Sequence, residues 1–192
     1  MKTKPIEKFA AYGGIVAVCF EWLAVLSFYI RKPSDFDGSH PLSYFATLPQ
    51  TKLIFTLCYL VAALSFWIFA RYHLSKHYQT PTKVFALAMI GFAAVAILPY
   101  NPDSSVSYAL HAFAAFTFSA SFIGAIFIMT KRNDDKVLKR VSLPIVLVSG
   151  VLTILIVAYK DLPLILVFEV IAGLACQVWT LWINYLTLRS AK

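Results

Sequence analysis

Six apolar stretches separated by short polar segments form the main pattern along this chain. A helix needs roughly 20 apolar residues to cross the hydrocarbon core of a bilayer, which is about 30 Å thick. Four of the stretches reach or approach that length, and the third and fifth are the shortest. Proline and Asn-Pro signals fall at the ends of the stretches, where helices are expected to stop. The pattern predicts an all-α membrane protein, a single domain with a bundle of six transmembrane helices over residues 10–30, 53–72, 84–100, 107–130, 142–159 and 163–188.

The composition supports membrane insertion, and the positive charge indicates an orientation. The chain is 60% hydrophobic and 14% charged, whereas soluble domains are about half apolar and a quarter charged. The net charge is +8, but the basic residues lie between the apolar runs and form no single patch, so no nucleic-acid partner is predicted. With the N-terminus inside, thirteen Lys and Arg residues lie on the cytoplasmic side and four on the other. This positive-inside bias places both termini in the cytoplasm.

Glu21 lies near the middle of the first predicted helix, where an ionisable side chain needs an explanation. A charged group at that depth costs about 2.5–3.5 kcal/mol or more. Gly13 and Ala17 precede it on the same helix face at steps of four, and small residues at this spacing let another helix approach closely. We therefore expect Glu21 to face protein and not lipid.

The sixth predicted helix carries a polar stripe at spacings of four, four, three and four residues: Glu169, Gly173, Gln177, Thr180 and Asn184. At 1.5 Å per residue the stripe is about 22 Å long, most of the membrane thickness. Such a stripe is expected to face the bundle interior or a wet cavity. It either forms interhelical hydrogen bonds or lines a pathway for a substrate, a lipid headgroup or protons.

Other ionisable residues are predicted near the external face. His111 lies one turn into the fourth helix, below the external turn with Asp103, and Glu169 is at a similar depth. The long loop 31–52 above them contains three further candidates, Asp35, Asp37 and His40. Together these groups predict an outward-facing polar pocket, in which His111 either shuttles protons or forms a structural hydrogen bond. The stretch 41–48 of the loop is a candidate short interfacial helix.

Sequence motifs for known chemistry are missing from the chain. It contains no His-Glu-x-x-His, Gly-x-Ser-x-Gly, phosphate-loop or dinucleotide pattern. The three cysteines stand in apolar runs without metal-site spacing, so neither a metal site nor a disulfide is predicted. His73 and His77, four residues apart, are expected at a solvated surface. No cofactor is predicted, and enzyme activity is left open, with a non-enzymatic role favoured.

The order of these features resembles two groups of membrane proteins. Pro-Ser-Asp at 33–35 and His-Pro-Leu-Ser at 40–43 precede Lys-Leu-Ile-Phe at 52–55; Ile-Leu-Pro-Tyr at 97–100 precedes Ala-Leu-His-Ala at 109–112. This arrangement over residues 10–130 resembles small six-helix proteins of the DRAM/Sfk type and a bacterial multi-pass family of unknown function. Pro99-Tyr100 replaces the Phe-Pro expected of that bacterial family. The resemblance implies a non-enzymatic protein linked to lipid organisation or membrane trafficking.

Three functions follow as hypotheses. The first is a protein that binds, senses or organises lipid or a small amphiphile through a polar pocket among helices one, four and six. The second is a proton-coupled transporter that uses Glu21, His111 and Glu169, and the third is a membrane-embedded, metal-dependent hydrolase. A bacterial or archaeal plasma membrane is the expected location. Membrane lipids are the expected partners, with a homo- or hetero-oligomer as a further possibility.

Overall fold

The computed structural model describes residues 5–35, 40–98, 100–101, 103–158 and 165–190, and this part of the chain contains helices and no strand. Seven α-helices follow one another, with two short 3-10 turns, Pro33–Asp35 and Leu42–Ala46, between the second and third. The helices are α1 (Pro5–Ala10), α2 (Gly13–Arg31), α3 (Lys52–Phe69), α4 (Thr82–Ile97), α5 (Ser105–Arg132), α6 (Lys136–Ala158) and α7 (Ile165–Ser190). The expected all-α architecture is confirmed.

Five helices, α2, α3, α5, α6 and α7, are long and apolar enough to cross a membrane. The chain is therefore an integral membrane protein. The third predicted span corresponds to α4, which is apolar but has 16 residues, or about 24 Å of helix. The predicted helix 84–100 ends too late, because Leu98 already has extended backbone.

The helices of the bundle form a closed ring. Each of α2 to α6 packs against the long helix that follows it in the sequence, and α7 packs against α2, which closes the ring. The described residues 32–35, 40–51, 98, 100–101 and 103–104 lie at one end of the ring, which we call the loop side. Helix α1 and the last turns of α7 lie at the other end, the terminal side. The ring encloses a central space whose walls come from all six long helices.

The second predicted helix, 53–72, ends too early, because the helix continues beyond α3 to His77. A π-helical turn covers Ala70–Leu74 and an α-helical turn follows. Short helix α1 packs against this extension, and Lys76 forms a 3.0 Å ion pair with Glu7. His73 is only 7% exposed, with its Nε2 atom unpartnered among the described residues. The expected solvated surface is therefore wrong for His73.

The connection between the predicted helices 107–130 and 142–159 is also shorter than expected. Helix α5 continues to Arg132 and α6 begins at Lys136, so three residues connect them. Asp135 accepts hydrogen bonds from the backbone N–H groups of Val137 (2.8 Å) and Leu138 (3.1 Å). These are N–H groups that the first turn of a helix leaves without an intrahelical partner. Asp135 therefore starts α6 several residues before its apolar stretch.

Gly91 is required where α4 crosses α5. A Cβ atom at this position would lie 2.6 Å from the backbone nitrogen of Phe118 and 3.0 Å from the carbonyl oxygen of Ala114. Because both neighbours are backbone atoms, neither can turn aside. We predict that Gly91→Ala lowers the free energy of unfolding by about 1–3 kcal/mol, measured by denaturant unfolding in detergent micelles.

Gly124 provides the matched control within α5. A Cβ atom there would meet no described atom within 4 Å. Alanine has a higher helix propensity than glycine, by about 1 kcal/mol. Gly124→Ala should therefore leave the protein equally stable or more stable. Equal free energies of unfolding for the two variants would contradict the proposed close crossing.

Candidate functional site

A cavity of about 490 Å³ lies inside the ring, and residues 41–43 of the loop contribute to its lining. Its volume is within the range of ligand pockets, about 300–1,000 Å³. Four of the residues proposed from the sequence line it: Glu21, His111, Glu169 and Gln177. These residues come from α2, α5 and α7, so the fold brings together groups that are up to 156 positions apart.

Glu21 and Gln177 form a polar pair in the cavity lining. The Nε2 atom of Gln177 donates a hydrogen bond of 2.5 Å to Oε2 of Glu21. The carbonyl oxygen of the Gln177 side chain is buried and has no partner among the described residues. The pair joins α2 to α7 and faces the cavity, as the sequence predicted for Glu21.

Two adjacent glycines let α2 lie close to both neighbouring helices. A Cβ atom at Gly13 would lie 2.5 Å from the carbonyl oxygen of Ser65 on α3, and one at Gly14 would lie 2.6 Å from Oδ1 of Asn184 on α7. The sequence analysis identified Gly13 but not Gly14. The second glycine allows α7 to approach, which brings Gln177 within reach of Glu21.

Glu169 holds the loop between α2 and α3 over the loop side of the cavity. Its Oε2 atom accepts a hydrogen bond of 2.7 Å from the backbone N–H of Leu42. Residues 41–43, which we call the roof, line the cavity, and Pro41 and Ser43 are buried. The expected helix at 41–48 is a 3-10 turn, Leu42–Ala46. The first residues of this segment pack inward over the cavity.

His111 is bonded to the end of α4. Its Nδ1 atom lies 2.9 Å from the carbonyl oxygen of Leu98, and the ring packs edge-on against Tyr100 at 5.7 Å between centroids. A carbonyl oxygen only accepts, so Nδ1 carries the hydrogen in this contact. The histidine therefore makes the structural hydrogen bond that the sequence offered as one alternative, while also lining the cavity.

An aromatic wall stands on the α3, α4 and α5 side of the cavity: Phe55, Tyr59, Phe92 and Phe118. Successive ring centroids along this wall are 4.0, 4.6 and 4.6 Å apart. Sequence reasoning missed this wall, because rings spaced along apolar helices have the same pattern as ordinary core or lipid-facing residues. The only available signal was the high aromatic content of 16%.

Aromatic packing closes the cavity toward the terminal side. The ring of Phe122 packs against Phe66 at 5.1 Å and against Trp179 at 6.1 Å between centroids. Trp179 is fully buried, and its Nε1 donates a 2.9 Å hydrogen bond to the hydroxyl of Ser142. We call this layer the floor. Its three aromatic residues belong to the hydrophobic core.

The remaining sequence candidates lie elsewhere. Asp103 is exposed and is not a lining residue. His40 stacks on Tyr44 with 4.1 Å between ring centroids and does not line the cavity either. Asp35 ends the first 3-10 turn, and Asp37 lies outside the described residues. In the described part of the chain, no three His, Cys, Asp or Glu side chains are grouped so that they could hold a metal ion.

Comparison with known proteins places the chain in a family. Residues 11–184 match the family described as "Protein of unknown function (DUF998)". Membership of a family of unknown function is thus confirmed, and the match extends beyond the expected residues 10–130 through α6 and most of α7. No link to proteins of the DRAM/Sfk type is shown. No curated protein and no solved structure matches the chain.

Proposed function

Because the chain belongs to the DUF998 family, whose function is unknown, we propose from the cavity itself that the protein binds, senses or organises lipid or a small amphiphile within the membrane. One observation carries the proposal: the polar pair Glu21–Gln177 and an aromatic wall line the same cavity. A mostly apolar cavity with a few convergent polar groups is typical of ligand sites. An amphiphile has both kinds of surface, so it matches this lining better than a fully polar solute does.

We further propose that α4 is a sixth span and that both termini are cytoplasmic. The distribution of Lys and Arg supports this orientation. The loop side then faces outward, and the ligand enters beneath the roof from the outer leaflet. A bacterial or archaeal plasma membrane remains the proposed location, with membrane lipids as partners. Homo- or hetero-oligomers are compatible with the exposed apolar faces of the helices.

The test is the amount of amphiphile that co-purifies with the protein. Glu169→Gln weakens the contact that holds the roof, and His111→Gln removes the ring that is bonded to Leu98. We predict that the double variant, extracted in mild detergent, retains several-fold less bound lipid or amphiphile, measured by native mass spectrometry. Asp103→Asn makes the same acid-to-amide change at an exposed position and should retain the normal amount. Unchanged ligand content in the double variant would contradict the proposal.

The competing function is proton-coupled transport. Two carboxyl groups and a histidine line one cavity, and ionisable groups inside a membrane commonly form proton relays. Transport requires the floor to open, because the aromatic layer separates the cavity from the terminal side. This function predicts a pH-driven flux in proteoliposomes that Glu21→Gln abolishes. Ligand binding without flux would favour the amphiphile-binding function.

A further inference from the structure

The polar pair Glu21–Gln177 leaves two acceptor oxygens in the cavity lining without a donor among the described residues. Gln177 uses its amide N–H on Oε2 of Glu21, which leaves Oε1 of that carboxyl without a hydrogen-bond partner among the described residues. The buried carbonyl oxygen of Gln177 is likewise unpartnered there. The described lining contains two carboxyl groups, Glu21 and Glu169, and neither Lys nor Arg. A ligand that supplies donors and positive charge would complement this arrangement.

The opposite side of the cavity suits the apolar part of such a ligand. Phe55, Tyr59 and Phe92 form a continuous row of stacked rings. Stacked rings cover one another's faces, so the row offers apolar surface along which an alkyl chain can lie. An anionic headgroup would bring further acceptors to oxygens that need donors.

We propose that Glu21 and Gln177 hold the ammonium headgroup of an alkylamine-type amphiphile, whose chain lies along the aromatic wall toward the loop side. The inference rests on the proposed function and names the chemical class of its ligand. The ammonium N–H groups donate to the free oxygen of Glu21 and to the carbonyl oxygen of Gln177. A quaternary ammonium ion has no N–H and cannot make either bond.

Glu21 is preferred over Glu169 as the headgroup site because Glu169 already accepts the N–H of Leu42 and holds the roof. The two positions are also well separated. Gln177 follows Glu169 by eight positions, or about 12 Å along the helix axis. A headgroup beside Glu21 therefore lies deep in the cavity, with room for a chain between it and the roof.

The experiment compares four ligands that share a ten-carbon chain: decylammonium, decyltrimethylammonium, decanol and decanoate. Binding is measured by calorimetry on the full chain in phosphatidylcholine nanodiscs, with empty nanodiscs subtracted. We expect decylammonium to bind at least about tenfold more tightly than decanol, and decanoate to bind most weakly. Glu21→Gln should remove most of that preference, whereas Asp103→Asn should keep it. Size-exclusion profiles and thermal unfolding confirm that each variant is folded.

Each result bears on one claim. If decanol or decanoate binds as tightly as decylammonium, the ammonium site is wrong but amphiphile binding stands. If decyltrimethylammonium binds as tightly as decylammonium, the proposed hydrogen bonds from the ammonium N–H groups to Glu21 and Gln177 are wrong. If Glu169→Gln removes the preference and Glu21→Gln does not, the headgroup position is wrong. If none of the four ligands binds above the empty nanodiscs, the proposed function itself fails.

Discussion

Replacing Gly173 with phenylalanine is expected to prevent ligand binding while the fold is retained. Gly173 lines the cavity, and a Cβ atom there would meet no described atom within 4 Å. It lies one turn from Glu169 and one turn from Gln177 on the polar stripe of α7, so a larger side chain extends into the cavity. We predict at least a tenfold weakening of decylammonium binding, measured by calorimetry, or about 1.4 kcal/mol or more.

The size of the substituent should determine the size of this effect. Alanine at position 173 fills little of the cavity volume, leucine fills more, and phenylalanine fills most, so ligand binding should weaken in that order. Gly150→Phe is the matched control, because a Cβ atom at Gly150 also meets no described atom within 4 Å, yet this residue does not line the cavity. Thermal unfolding of all variants should remain close to that of the parent protein. If Gly173→Phe binds the ligand with unchanged affinity, the ligand site lies elsewhere.

Replacing Asn184 with leucine is expected to produce the largest loss of stability. Asn184 is fully buried and bonds to both sides of the break between α1 and α2. Its Nδ2 donates to the carbonyl oxygen of Ala11 at 2.7 Å, and its Oδ1 accepts from the N–H of Ile15 at 3.2 Å. Both are helix-terminal groups without intrahelical partners. Leaving a buried polar group unpaired costs about 1–3 kcal/mol, so we predict a loss of about 2–4 kcal/mol in the free energy of unfolding.

Asn133 offers a control with the same chemistry near solvent. Its side chain also bridges two backbone groups: it donates to the carbonyl oxygen of Met129 and accepts from the N–H of Gln79. Water can replace these partners, because Asn133 is partly exposed and lies between α5 and α6. Denaturant unfolding should therefore show a clearly smaller loss for Asn133→Leu than for Asn184→Leu. Equal losses in the free energy of unfolding would mean that burying the hydrogen bonds at the α1–α2 break adds nothing to stability.

Hydropathy and helical spacing were sufficient to predict the helices and much of the polar lining. Glu21 and the stripe on α7 could be predicted to face inward because a charged or amide side chain among apolar residues has few other stable positions. The direct bond between Glu21 and Gln177 could not be predicted, since helical spacing specifies a face and not the partner helix. Gln177 reaches Glu21 because α7 packs closely against α2 where Gly14 lies beside Asn184. This contact forms only in the packed bundle, so the sequence does not reveal it.

The incorrect boundaries have a common physical origin. Residues 73–77 and 136–141 contain several Lys, Arg and His side chains, and such segments between apolar spans were interpreted as loops. In the structure the first segment continues a helix that the ion pair between Lys76 and Glu7 joins to α1. The second begins a helix because Asp135 binds its first N–H groups. Hydropathy along the chain does not reveal either of these stabilising contacts. The length needed to cross a membrane therefore predicted the centres of the helices better than their ends.

The closure of the ring between α2 and α7 has a consequence for biosynthesis. Glu21 belongs to α2, and its partner Gln177 follows 156 residues later in the chain. At roughly 5–20 residues per second, about 8–30 s separate the synthesis of the two residues. During that interval the Glu21 carboxyl lacks the amide that it contacts in the finished protein. A nascent chain halted before α7 should therefore be a preferred substrate for membrane chaperones or quality-control proteases.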